Sequence, residues 1–108
     1  MKSFVLAALV TLSAAPERMS DQDKLKFTRP VEQVFYTCVA EAIETDVRYG
    51  RAPLNDLVLY AVENPCLMHA RAAVAVHDHY FGDGAGVRFF EKYLEHAVST
   101  ASAMLKHR

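Results

Sequence analysis

The chain has 108 residues, 12 Lys+Arg against 13 Asp+Glu, a net charge of −1 and 52% hydrophobic residues. That is enough for one small domain with a packed core. No basic run points to nucleic acid and no acidic tail to a solvating partner, so the expected partner is another protein or a second copy, with no cofactor.

Residues 1–15 read as an export signal. Lys2 supplies a positive start, Phe4–Leu12 (FVLAALVTL) an apolar run, and Ser13-Ala14-Ala15 the small residues of a cleavage site. The run is far shorter than the roughly 20 residues of a spanning helix. No cysteine follows it to carry a lipid, so no stable membrane anchor is expected. The expected location is periplasmic or secreted, with a cytoplasmic protein starting at Met19 as the alternative. Residues 16–26 are polar and aperiodic, and are expected to form a flexible mature N-terminus ahead of a single helical domain over 27–108.

The first expected helix spans Pro30–Tyr49, with Thr28 as N-cap and Pro30 in the first turn. Val31, Phe35, Cys38, Ala42 and Tyr49 fall on one apolar stripe, widened by Val34, Val39, Ile43 and Val47. Glu32, Glu41, Glu44 and Arg48 take the outer side, Glu44 and Arg48 as an i,i+4 pair. Gly50 supplies the stop. A second helix is expected over Pro53–Glu63. Asn64 and Pro65 would then cap and open a third over Pro65–Phe81. Leu67, Ala70, Val74, His77 and Phe81 form its seam, and Ala72, Ala73, Ala75 and Val76 make its other side apolar too, as in a central helix. Gly82–Gly86 (GDGAG) ends it, with Asp83 as a cap. The fourth runs over Val87–Lys106, with Phe90, Leu94, Ala97, Ala101 and Met104 inward. No segment alternates as a strand would. The expected fold is all-α, a small three- to four-helix bundle containing an antiparallel helical hairpin stapled by one disulfide.

The staple is Cys38–Cys66. From Cys38 to Tyr49 is roughly 17 Å of helix and from Pro53 to Cys66 roughly 20 Å. Folded back on each other, the two arms bring the cysteines to the same level, as a disulfide requires. Stable disulfides belong in oxidising compartments, which agrees with the export signal. The stretch CVAEAIETDVRYGRAPLNDLVLYAVENPC, residues 38–66, resembles small, largely uncharacterised exported helical proteins of Gram-negative bacteria. In these a cysteine on one helix is followed by a Gly/Ser-type turn and an alanine-rich helix ending in cysteine. The resemblance implies a periplasmic helical fold and no activity. Periplasmic acid-stress chaperones are also small, helical and singly disulfide-bonded, but their cysteines are much farther apart in sequence.

Candidate chemistry is sparse. His69, His77 and His79 with Asp83 are the residues a periplasmic metal-binding or pH-responsive protein would use. On a helix, however, His77 and His79 diverge by about 200°. His77 falls on the seam, where a hydrogen-bonded core histidine is the ordinary explanation. GDGAG lacks the phosphate-loop pattern and follows a helix rather than a strand. Glu91, Glu95 and His96 sit on an expected outer face beside Lys92, without the cleft that acid–base catalysis needs. No enzyme is expected. Tyr80, Phe89, Phe90 and Tyr93 crowd the turn between the last two helices. Adjacent residues point 100° apart, so Phe89 and Phe90 cannot be buried equally, and part of this cluster is a candidate interaction surface. The expected role is non-catalytic protein–protein interaction or self-association.

Overall fold

The structure is a computed structural model that describes residues 16–106; the expected export signal, residues 1–15, lies outside them. A 3-10 turn, Pro16–Arg18, precedes four helices: α1 Asp21–Thr45, α2 Leu54–Glu63, α3 Leu67–Phe81 and α4 Ala85–Lys106. There is no strand among the described residues, so the fold is an all-α bundle carrying the Cys38–Cys66 disulfide. No helix among them is long and apolar enough to cross a membrane.

The first helix begins at Asp21, well before the expected Pro30. Ser20 is its N-cap, with Oγ accepting from the Asp23 N–H at 3.1 Å. Asp21 and Asp23 complement the positive end of the helix dipole. Ser20-Asp21-Gln22-Asp23 is thus a start signal of the Ser-x-x-acid kind within a segment expected to be loose. Thr28, expected as the cap, is a helix-interior residue that is 0% exposed. Pro30 lies inside the helix, where it removes the bond to the Lys26 carbonyl. Tertiary contacts offset that cost. Phe27 stacks on Tyr80 at 5.2 Å between centroids, Lys24 Nζ lies 5.3 Å over the Phe81 ring, and the 3-10 turn packs on α3.

The other end of α1 stops early, at Thr45. Val47 and Tyr49, expected on the inner stripe, are exposed in the turn that follows. Arg48 makes a bidentate pair with Asp46, Nε at 3.1 Å from Oδ1 and Nη2 at 2.9 Å from Oδ2. The reason is local: once the chain leaves the helix, Asp46 is two residues away and its carboxylate also accepts the Arg48 N–H. Gly50, at φ 86°, turns the chain toward α2.

Asn64 ends α2 rather than opening α3. Its Nδ2 donates to the Tyr60 carbonyl, and Cys66 is the N-cap of α3. α3 packs on all three other helices, but the expected burial all round is not realised. It buries Ala70, Ala73 and His77, while Met68, Ala72 and Ala75 are exposed. The core is filled by Phe35, Val39 and Ile43 of α1, Leu57, Val58, Ala61 and Val62 of α2, and Tyr93, Ala97 and Ala101 of α4. In α4 the inner stripe is rotated by one residue at its middle: Tyr93 is buried and Leu94 is exposed.

Between α3 and α4 the decisive residue is Gly86. A Cβ there would stand 2.2 Å from the Val74 carbonyl oxygen, so only glycine lets the two backbones approach this closely. Its N–H donates to Asp78 Oδ1 at 2.8 Å. Asp78 thereby caps the start of α4, the role expected of Asp83, which is exposed in the turn.

Candidate functional site

The long seam between α1 and α3 carries two unlike fastenings. One is the disulfide, with the Cα atoms of Cys38 and Cys66 5.9 Å apart. Cys66 is fully buried and Cys38 half-buried. The other fastening joins Glu32 and His77. Thr28, Glu32, Phe35, Val39 and Ile43 step by 4, 3, 4 and 4, which places Glu32 on the inner stripe of α1 rather than on the outer side where its charge was expected to be.

His77 is 9% exposed and both ring nitrogens are engaged. Nδ1 lies 2.8 Å from the Ala73 carbonyl oxygen and Nε2 3.0 Å from Glu32 Oε2. A carbonyl oxygen can only accept, so this contact is a hydrogen bond when Nδ1 carries the ring proton. Phe89 stacks on one side of the imidazole at 4.1 Å between centroids, with Phe81 at 6.2 Å. Tyr36 lies one turn along α1 from Glu32. Burial first, then the Glu32 carboxylate, pushes the Tyr36 phenol up to about 12. Tyr36 stacks on Tyr93, whose phenol burial also raises to about 12, followed by the influence of Tyr36. A polar line, His77–Glu32–Tyr36, thus runs into an aromatic cluster of Tyr36, Tyr93, Phe35 and Phe90.

The structure does not bring the histidine candidates together. His69 is exposed beside the outer face of α1, where it shares a groove with Glu41 and Thr45. His77 is inside the seam. His79 is exposed, edge-on to Tyr80 at 4.7 Å, and Asp83 lies in the α3–α4 turn. Among the described residues no three His, Cys, Asp or Glu side chains form a group able to hold a metal ion.

The aromatic candidates are mostly engaged inside. Tyr93 is buried, Phe89 covers His77, and Tyr80 is half-buried under Phe27. Phe90 is half-buried and lines an apolar groove of about 360 Å³ between α3 and α4, with Leu67, Val74 and Ala75. Arg71 and Asp78 stand at its rim. Beside it α4 presents Val87, Leu94 and Val98 to solvent, 56%, 39% and 38% exposed. These three share one face with Phe90 by helical spacing, Leu94 among them although its spacing predicts an inward position. No family model, no curated protein and no solved structure matches the chain.

Proposed function

We propose that this is an exported, non-catalytic helical protein that works by self-association through the α3–α4 face. The observation behind this reading is the apolar groove of Leu67, Val74, Ala75 and Phe90 alongside the exposed Val87, Leu94 and Val98. The charges at its rim favour a second copy as the occupant. Arg71 and Asp78 lie seven residues apart on one face, symmetrically about Val74 and Ala75. A twofold axis through that midpoint sets Arg71 of each copy opposite Asp78 of the other, as an isologous interface requires. The disulfide, together with the apolar and small-residue pattern of residues 1–15, supports an oxidising compartment, periplasmic or secreted. Support for a non-catalytic role is that His77 and Glu32 meet within the helix seam, away from the grooves along α1 and between α3 and α4.

The test is the mass of the purified protein in solution across a concentration series. A dimer is expected, and Ala75→Glu, which puts a charge at an exposed position on the axis, is expected to leave a monomer with an unchanged helical spectrum. A wild-type chain that stays monomeric throughout would rule out this reading.

A further inference from the structure

We infer that Glu32 and His77 form a proton-dependent latch that holds the N-terminal part of α1 against α3, with Pro30 as the point where that part can swing away. The inference stands independently of the docking face. It begins with counting protons. With the ring proton on Nδ1, as the 2.8 Å contact to the Ala73 carbonyl oxygen requires of a hydrogen bond, that proton is donated to Ala73 O. In the neutral ring, Nε2 then carries a lone pair, and that lone pair points at Glu32 Oε2 from 3.0 Å. An ionised carboxylate is also acceptor only. The contact is a hydrogen bond only while one further proton lies between Nε2 and Oε2. With it, the pair is a charge-assisted bond at the edge of the core. Without it, two lone pairs face each other in a seam where the Glu32 and His77 side chains are 18% and 11% exposed, and little water can intervene.

The groups around the pair reinforce this count. On α1, the Tyr36 phenol, pushed up by burial and the Glu32 charge, keeps its own proton, and Lys24 is engaged over Phe81. On α3, Asp78 is held by the Gly86 N–H and His79 points to solvent. On α4, the group against the ring is uncharged Phe89, and Arg88 lies beside Gly84. No hydrogen bond or ion pair from α2 reaches His77 among the described residues.

What the latch controls follows from the layout of α1. The disulfide fastens the seam at Cys38, six residues C-terminal to Glu32 on α1. Pro30, two residues before Glu32, interrupts the hydrogen-bond ladder. Ahead of it, Asp21–Arg29 is held by the Phe27–Tyr80 stack and by Lys24 over Phe81, and its buried Thr28 hydroxyl has no partner. This piece is held by side-chain contacts and no covalent bond, and it lies next to a fastening that depends on a proton.

The experiment is amide exchange on the full-length protein at a series of values from about pH 5.5 to 9. Protection of residues 21–31 is compared with that of residues 35–43 after correction for the chemical exchange rate. The ratio is expected to fall roughly tenfold or more as pH rises, because a charge-assisted bond is lost. Glu32→Gln should abolish that fall, because its amide can donate to the neutral Nε2. His77→Phe should give low protection at every pH. A flat wild-type ratio, or the same fall in Glu32→Gln or His77→Phe, would overturn the latch. Should the variants fold poorly, side-chain nitrogen NMR of wild-type His77 decides. Loss of the Nε2 proton with Nδ1–H retained agrees with the latch, and a neutral ring protonated on Nε2 contradicts it.

Discussion

The two ends of the α1–α3 seam are held by opposite chemistry. At Cys38–Cys66 a covalent bond closes the contact whatever the pH. At Glu32–His77 a single proton and a set of stacked rings do the same work between larger groups. The first constrains the unfolded chain and the second stabilises the folded one. Once formed, the covalent closure is therefore independent of the protonation of its neighbours, whereas the polar closure depends on every neighbour being in place.

The largest expected effect lies at the covalent end. Cys38→Ser/Cys66→Ser should lose about 3–4 kcal/mol by the loop-entropy argument. For a domain of this size the melting temperature should drop by roughly 10–20 °C, with the helical spectrum retained in the cold. A melting temperature close to wild type would mean that the polar end alone sets the stability of the seam. Thermal denaturation by circular dichroism measures this, and each single mutant should match the double.

At the polar end, His77→Leu should cost about 1–3 kcal/mol, because it leaves the part-buried Glu32 carboxylate without its partner. Replacing both, Glu32→Leu/His77→Leu, should recover most of that loss, since a buried pair is often no better than apolar side chains of similar size. Denaturant titrations of the single and double variants check it. A double mutant as unstable as His77→Leu would show that the rings and the proton are not separable.

Gly86→Ala should cost a comparable or smaller amount, about 1–3 kcal/mol, because the α3 and α4 backbones must part by more than a side chain can absorb. Gly50→Ala meets no atom within 4 Å and should cost only the strain of its positive φ, about 1 kcal/mol. A reversed order would place the tight α3–α4 contact elsewhere. In the opposite direction, Thr28→Val should raise stability by up to about 1 kcal/mol, since it replaces a buried hydroxyl that lacks a partner with a methyl of similar shape.

The smallest effect is spectroscopic. Tyr36 and Tyr93 ionise at about 12 in the folded protein against 10.0 when free. In the unfolded chain they lose their protons first, so their contribution to stability is complete below pH 10 and fades as the pH rises toward 12. Absorbance at alkaline pH should show these phenols still protonated at about pH 11 in the native state and ionised after denaturant is added. Full ionisation in the native state would place the Tyr36–Tyr93 stack in water.

By itself the sequence determined the elements that depend on local chemistry: helices ending at Glu63, Phe81 and Lys106, the turn at Gly50, the GDGAG break, and the cysteine pairing, whose two arms are of nearly equal length. Spacing and backbone preference act within a few residues, so a linear reading reaches them. The Ser20 cap was also within reach, in Ser20-Asp21-Gln22-Asp23, but the polarity around it hid the signal. Only the tertiary structure decided that α1 runs through Pro30, that Glu32 faces inward and that Leu94 faces outward. Each reverses a sound local preference, because a partner from another helix outweighs it. Phe27 and Lys24 find Tyr80 and Phe81, Glu32 finds His77, and Tyr93 packs against Phe35 in place of Leu94. A charged residue looks like surface until the side chain that satisfies it is known. In this chain that side chain is His77, 45 positions away, which only folding brings to its side.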